Sequence, residues 1–187
     1  MRLPEPYYSR VLQLCVELAS GRWHQIDGKL RVVGPVYEQG TGTLIMITNA
    51  RHCCLGVGCE LALREGVGYR EDAEHAKYWD NAEAVALDPE GNTSDLTRAV
   101  MDWYGFDDAN PAVTILCGEV ADNQPDSWCD DCRGVVDDYR NEQCTNTLNV
   151  SATDANDDLG LNFTQIADGF ARRWLGGVEA LHATPTR

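Results

Sequence analysis

Residues 51–66, RHCCLGVGCELALREG, gather a histidine, three cysteines and three glycines where a helix is due to begin. A cysteine at a helix N-terminus sits at the positive end of the helix dipole, which lowers its pKa and favours the nucleophilic thiolate. With His52 adjacent, and with Asp154, Asn156 and Asp157 downstream, Cys53 or Cys54 could be drawn as the nucleophile of a cysteine-dependent hydrolase or transferase. Neighbouring residues on a helix do not face one another, so His52 is badly disposed to take a proton from Cys53. The sequence brings none of His24, His75 and His182 to Cys53. Small Cys and Gly side chains clustered on one helix fit a close packing face instead. The expectation is that these thiols are structural and that the chain has no catalytic residue.

A second group has metal chemistry. Cys117, Cys129, Cys132 and Cys144 follow the spacing C-x11-C-x2-C-x11-C. A C-x2-C turn presents two thiolates to one tetrahedral zinc ion, and Gly134 stands close behind Cys132 as such turns need. Asp130 and Asp131 oppose thiolate formation, and a second C-x2-C pair is missing. Structural zinc on these four cysteines is the one cofactor the sequence suggests, beside plain or disulfide-paired thiols.

The stretch TDANDDLGLNF (153–163) alternates carboxylates and amides like a calcium loop, but Leu159 and Gln165 stand where an EF-hand needs glycine and glutamate. A polar turn before the last helix is the better reading. Trp23 and Trp128, in polar turns, could anchor a ligand or partner. With Arg31 and the Asn156–Asp158 turn, Asn156 and Asp157 foremost, Trp23 outlines a nucleotide-type small-ligand site.

These groups must be held by a fold. YYSRVLQLCVELA (7–19) places Tyr8, Val11, Leu12, Cys15, Leu18 and Ala19 at helical spacing, with Gly21 as a stop. KLRVVG (29–34) and TGTLIMITN (41–49) read as the strands of a hairpin joined by GPVYEQG. In the second helix Cys54, Val57 and Leu61 face inward and Glu60, Arg64 and Glu65 outward. Gly56 and Gly58 weaken that helix by about 1 kcal/mol each, tolerable where another element approaches its backbone. Residues 67–92 read as loop with a short strand near 84–87. A third helix, capped around 92–94, carries Leu96, Val100 and Trp103 and ends at Gly105. Residues 112–120 read as a buried strand, and 121–147 as an acidic insertion. The final helix starts at Asn162, which forms a capping box with Gln165 and leads into the Phe163, Ile166, Phe170 and Trp174 face. The tail, 178–187, is expected to fray. The whole is expected to be one α+β domain over 1–187, about four helices on a small, mainly antiparallel sheet.

The net charge of −15, with only Lys29 and Lys77 beside thirteen arginines, disfavours a nucleic-acid backbone or an anionic membrane surface as partner and suits a protein with a basic surface. No apolar run reaches the ~20 residues of a membrane span. Eight cysteines without a secretory leader point to a reducing compartment, the cytoplasm.

SGRWHQIDGKLR (20–31), HCCLGVGCELA (52–62), the helix of Val100, Trp103 and Gly105, and TDANDDLGLNFTQIADGF (153–170) stand in an order that resembles a family of small actinobacteriophage and prophage proteins. Members of that family carry SGxYxQGxGxLR, CCLGVLCDL, VxxWLGL and LNDxGxSFxEIADxIE segments. Here Ile26-Asp27 replace part of the glycine-rich linker, 35–48 is expanded and 121–147 is additional. The resemblance implies phage origin and a shared fold, and it brings no catalytic residue. The expected function is a non-enzymatic accessory protein that binds a host or phage partner in the host cytoplasm. The rivals are the cysteine enzyme, the small-ligand binder and a virion component.

Overall fold

The structure is a computed structural model, and it describes residues 3–33, 36–37, 44–46, 50–71, 77–79, 94–120, 144 and 146–182. It has the expected α+β architecture, helices with small sheets in which all described pairings but one are antiparallel. The backbone divides into two compact units, residues 21–109 and residues 1–20 with 110–187.

In the 21–109 unit, β1 (His24–Gln25), β2 (Arg31–Val32) and β5 (Arg51–His52) form a sheet in the order β1-β5-β2. Strand β5 runs parallel to β1 and antiparallel to β2. The hairpin expected between 29–34 and 41–49 is drawn differently. Its strands are β3 (Val36–Tyr37), inside the supposed connecting loop, and β4 (Leu44–Met46), while Arg31–Val32 pairs with β5. Helix α2 (Cys54–Arg64) follows. Gly66 and Gly68, both at positive φ, turn the chain into a second hairpin, β6 (Tyr69–Glu71) with β7 (Lys77–Trp79), where the sequence reads as loop. The short strand expected at 84–87 lies outside the described residues.

Helix α3 (Arg98–Tyr104) begins after Thr97, later than the expected cap, so Leu96 precedes it. Gly105 ends it in the left-handed region, as expected. Its inward face is Val100, Met101 and Tyr104, while Trp103 lies half-buried edge-on to Tyr104. The Tyr104 hydroxyl donates to the Gly58 carbonyl at 3.2 Å.

In the other unit, helix α1 (Tyr7–Ala19) buries Val11, Leu14, Cys15 and Leu18, a stripe at helical spacing. It packs on α5 (Phe163–Phe170), whose Asn162 and Gln165 form the expected reciprocal cap with both bonds at 3.0 Å. The helix expected to run on past Phe170 relaxes into a π-helical turn, Ala171–Leu175, which Gly176 closes at positive φ. Helix α5 lies on β8 (Ala112–Leu116), with Gly169 against Val113.

Strand β8 ends at Leu116, short of its expected limit, and Cys117–Glu119 make a tight turn. Its antiparallel partner is β9 (Thr147–Ser151), an element the sequence reading missed. The first part of the stretch 153–163, expected as a polar turn, is instead helix α4 (Ala152–Asp157), capped by Ser151. Residues Glu179–His182, in the stretch expected to fray, form a short helix α6.

Candidate functional site

Helix α2 explains its own unusual composition. Cys53 is its N-cap, and its Sγ accepts a hydrogen bond from the Gly56 amide at 3.4 Å. The Leu30 carbonyl lies so close over Gly56 that a Cβ there would overlap it, and the same oxygen accepts from the Cys53 amide at 3.3 Å. Close approach of another element is what the glycines were expected to allow. Cys53 is 2 % exposed, and Cys54 and Cys59 are fully buried. Burial, reinforced by the nearby Cys53 and Glu60, pushes the Cys59 thiol well up, away from the thiolate.

His52 turns towards a carboxylate. In the β1-β5-β2 sheet its register partners are Gln25 and Arg31, so these three share one face; Arg51 shares the other with His24 and Val32. The His52 ring lies edge-on to Trp23, centroids 4.9 Å apart, and the Arg64 guanidinium covers Trp23 at 5.4 Å. The Nε2 of His52 and the Nε of Arg31 both stand 3.8 Å from Glu60 Oε1. From the β6–β7 hairpin, Arg70 and Tyr78 are register partners on one face and reach the same carboxylate. The Arg70 guanidinium donates to both Glu60 oxygens, at 2.5 Å to Oε2, and the Tyr78 hydroxyl donates to Oε1 at 2.8 Å.

Glu60, expected on the outer side of α2, is therefore a hub joining the helix to the β1-β5-β2 sheet and to the β6–β7 hairpin. Burial on its own raises its pKa. His52, the Arg70 guanidinium and the Tyr78 hydroxyl overcome this and lower it to about 2. At 3.8 Å the imidazole approaches without a hydrogen bond, so the direct donors Arg70 and Tyr78 dominate. Burial and then the Glu60 charge hold the Tyr78 phenol well up, so it stays a neutral donor. Among the described residues neither His52 ring nitrogen has a hydrogen-bond partner, although the residue is only 4 % exposed.

Of the expected ligand residues, Trp23 and Arg31 thus meet around His52 and Glu60. Asn156 and Asp157 belong to the other unit, where Asn156 is fully buried and donates to the Asp157 carboxylate at 2.5 Å. Trp128 lies outside the described residues. Glu60, Arg70 and Tyr78 were missed. Their trace in the sequence is a carboxylate on a helix followed, beyond a Gly-x-Gly reversal, by alternating aromatic and basic residues.

In the second unit Cys117 and Cys144 pack together as a small buried cluster against Leu148. Cys129 and Cys132 lie outside the described residues. Among the described residues no group of three or more His, Cys, Asp or Glu side chains is placed to hold a metal ion. Nearby, Arg172 grips Glu119 through two bonds of 3.0 and 2.8 Å, and Glu119 also accepts from the Leu116 amide at 2.8 Å.

One family model, a domain of unknown function designated DUF8296, matches residues 30–172. The chain belongs to that family. The DUF8296 match takes in the Glu60 hub and both Cys117 and Cys144, and Trp23 stands before it. No curated protein and no solved structure matches the chain. No described helix is long and apolar enough to cross a membrane.

Proposed function

We propose that this chain is a phage-encoded accessory protein that acts by binding a host or phage protein in the cytoplasm of the infected cell, and not by catalysis. The observation that carries the reading is the burial of Cys53, Cys54 and Cys59 at the one place where the sequence offered a nucleophile. A thiol spent on capping α2, beside an imidazole turned to Glu60, supports packing over attack. With a net charge of −15, a partner with a basic surface is the complementary one.

The test uses the full chain as bait in host lysate at low and high salt. A stoichiometric partner released by salt is the expected result; no salt-sensitive partner, or rapid selective alkylation of Cys53 or Cys54 in the folded protein, would displace the reading. Presence of the chain in purified particles would move it to the virion.

A second reading, a small-ligand binder, is favoured by the meeting of Trp23, His52 and Arg31. A nucleotide or inorganic phosphate that raises the melting temperature and changes Trp23 fluorescence would support it. A flat response across that panel removes it.

A further inference from the structure

Strand β8 is a strand that needs guarding. Residues 112–117, AVTILC, are β-prone, uncharged and free of proline and glycine, a composition that pairs readily with a further strand. Among the described residues its sheet holds only β8 and β9, so β8 has an outer edge. The bonds at the two ends of the ladder identify the groups on that edge. The Ala152 amide donates to the Pro111 carbonyl at 3.0 Å, and the Cys117 amide donates to the Asn146 carbonyl at 2.8 Å. In an antiparallel pair alternate residues turn their backbone groups to the partner, so 111, 113, 115 and 117 bond across to β9. Ala112, Thr114 and Leu116 therefore turn theirs outward.

Side chains meet all three. The Trp174 indole donates to the Ala112 carbonyl at 2.9 Å, and Arg172 donates to the Thr114 carbonyl at 3.4 Å. The Leu116 amide donates to the Glu119 carboxylate at 2.8 Å. The Arg172 contact is long, but two bonds to Glu119 fix its guanidinium in place. Arg173 covers the Trp174 ring, its guanidinium 5.6 Å from the centroid. The donors come from the π-helical turn Ala171–Leu175 and the acceptor from the turn Cys117–Glu119, so two separate segments converge on one edge. A third strand would have to displace them, because its own amides would seek the Ala112 and Thr114 carbonyls.

We propose that Trp174, Arg172 and Glu119 form a self-capping latch that bars strand addition at β8, and that the strand it keeps out is β8 of a second copy of this chain. Centred on Thr114, β8 run antiparallel to its own copy matches outward residue to outward residue, and a two-fold pairing of that kind is self-complementary. An uncovered edge of this composition is a template for such pairing, and covering it is how sheets stay apart. The inference is independent of which partner the protein binds.

The experiment uses the full chain at about 0.15 M salt, where repulsion between copies of net charge −15 is screened. In the unaltered protein the Trp174 indole proton should exchange about tenfold or more slower than one open to water. Arg172→Met with Trp174→Phe removes both donors to the β8 carbonyls. Sedimentation should then give a mass about twice that of the unaltered protein or more, rising with concentration, while far-ultraviolet circular dichroism shows the fold retained. Adding Thr114→Pro removes an outward N–H, leaves the bonds to β9 in place, and should return the mass to that of the unaltered protein. Arg98→Met, which removes the same charge in the 21–109 unit, should not change the mass. Trp174→Phe alone carries the test if the double variant does not fold, with a smaller rise of the same sign. A fast indole proton, a folded latch variant of unaltered mass, or association that Arg98→Met reproduces or Thr114→Pro fails to reverse would each overturn the proposal.

Discussion

Two half-buried carboxylates, one in each unit, respond to burial in opposite ways. Glu60 in the 21–109 unit is met by direct donors from Arg70 and Tyr78 and by the approach of Arg31 and His52, and its pKa falls to about 2. Asp168, on α5 of the other unit, is raised: burial and the neighbouring Glu119 charge outweigh Arg172 and His182. The arginine that could have neutralised Asp168 is committed to Glu119 through two hydrogen bonds. Asp168 also raises the fully buried Cys15 thiol, second to burial itself. One unit thus uses a carboxylate as a polar hub, and the other tolerates one at the margin of an apolar core. The difference lies in the number of donors, since both groups are partly desolvated.

The comparison breaks most completely at the contact beneath the Glu60 helix. Gly56→Ala would push a methyl group into the Leu30 carbonyl, which is backbone and cannot swing away. We expect a loss of about 3 kcal/mol or more, seen as a fall in the urea midpoint. Hydrogen exchange should rise first across residues 21–109. A Gly56→Ala variant of unchanged stability would mean that α2 does not lie against Leu30.

Next in size is the hub. Glu60→Gln keeps the shape but removes the charge that Arg70 and Arg31 face, and should cost about 2 kcal/mol. Its pH signature is sharper than its size. The folded pKa lies below the ordinary value of 4.5, so the stabilisation is complete above about pH 4.5 and drains away as pH falls towards 2. Urea titrations at stepped pH should show that loss in the unaltered protein, and Glu60→Gln should lack it. Equal acid sensitivity in both would remove Glu60 from the role of hub.

How much of this could be read from the sequence depends on the range of the interaction. The α1 stripe, the Asn162–Gln165 box, the Gly105 stop and the tight approach at Gly56 were legible because each follows from local spacing or from the lack of a side chain. Pairing was not. Arg31–Val32 joins β5 rather than the nearer β4, and β9 finds β8 across a long connection, because short strands choose partners by packing that lies far away in sequence. Glu60 looked like an ordinary outward residue on the polar side of an amphipathic helix, and its cover comes from the β6–β7 hairpin and from His52 and Arg31, elements that local spacing does not bring to it. Trp23 and Arg31 were recognisable as candidates, yet their meeting through His52 required the β1-β5-β2 register.

Asp168→Asn offers a smaller effect of the opposite sign. A folded pKa above the ordinary 3.8 means that the ionised carboxylate opposes folding at neutral pH, and the penalty fades as pH falls through the raised value. The amide should therefore stabilise the protein near neutrality by less than about 1 kcal/mol, solvent screening having reduced the effect. Its advantage should shrink in acid, where the Glu60 unit is losing stability. Site-resolved hydrogen exchange at neutral and acid pH separates the two. Parallel loosening of both units would erase the contrast between the carboxylates.

The smallest expected effect concerns the residue with which any enzymatic account must begin. Cys53 accepts from the Gly56 amide, a task that a serine hydroxyl performs at least as well at an N-cap. Cys53→Ser should therefore change stability by no more than about 0.5 kcal/mol, because the better cap offsets the less apolar side chain. The substitution also separates structure from chemistry, since a hydroxyl keeps the bond to Gly56 but lacks the nucleophilicity of a thiolate. A binding protein should keep its salt-sensitive partner unchanged in this variant. If the fold and the Gly56 contact survive while partner capture or a newly found turnover disappears, Cys53 has a role that its cap geometry does not contain. Cys54→Ser serves as the control, since that fully buried sulfur makes no cap and its hydroxyl replacement should lower stability by about 1–2 kcal/mol.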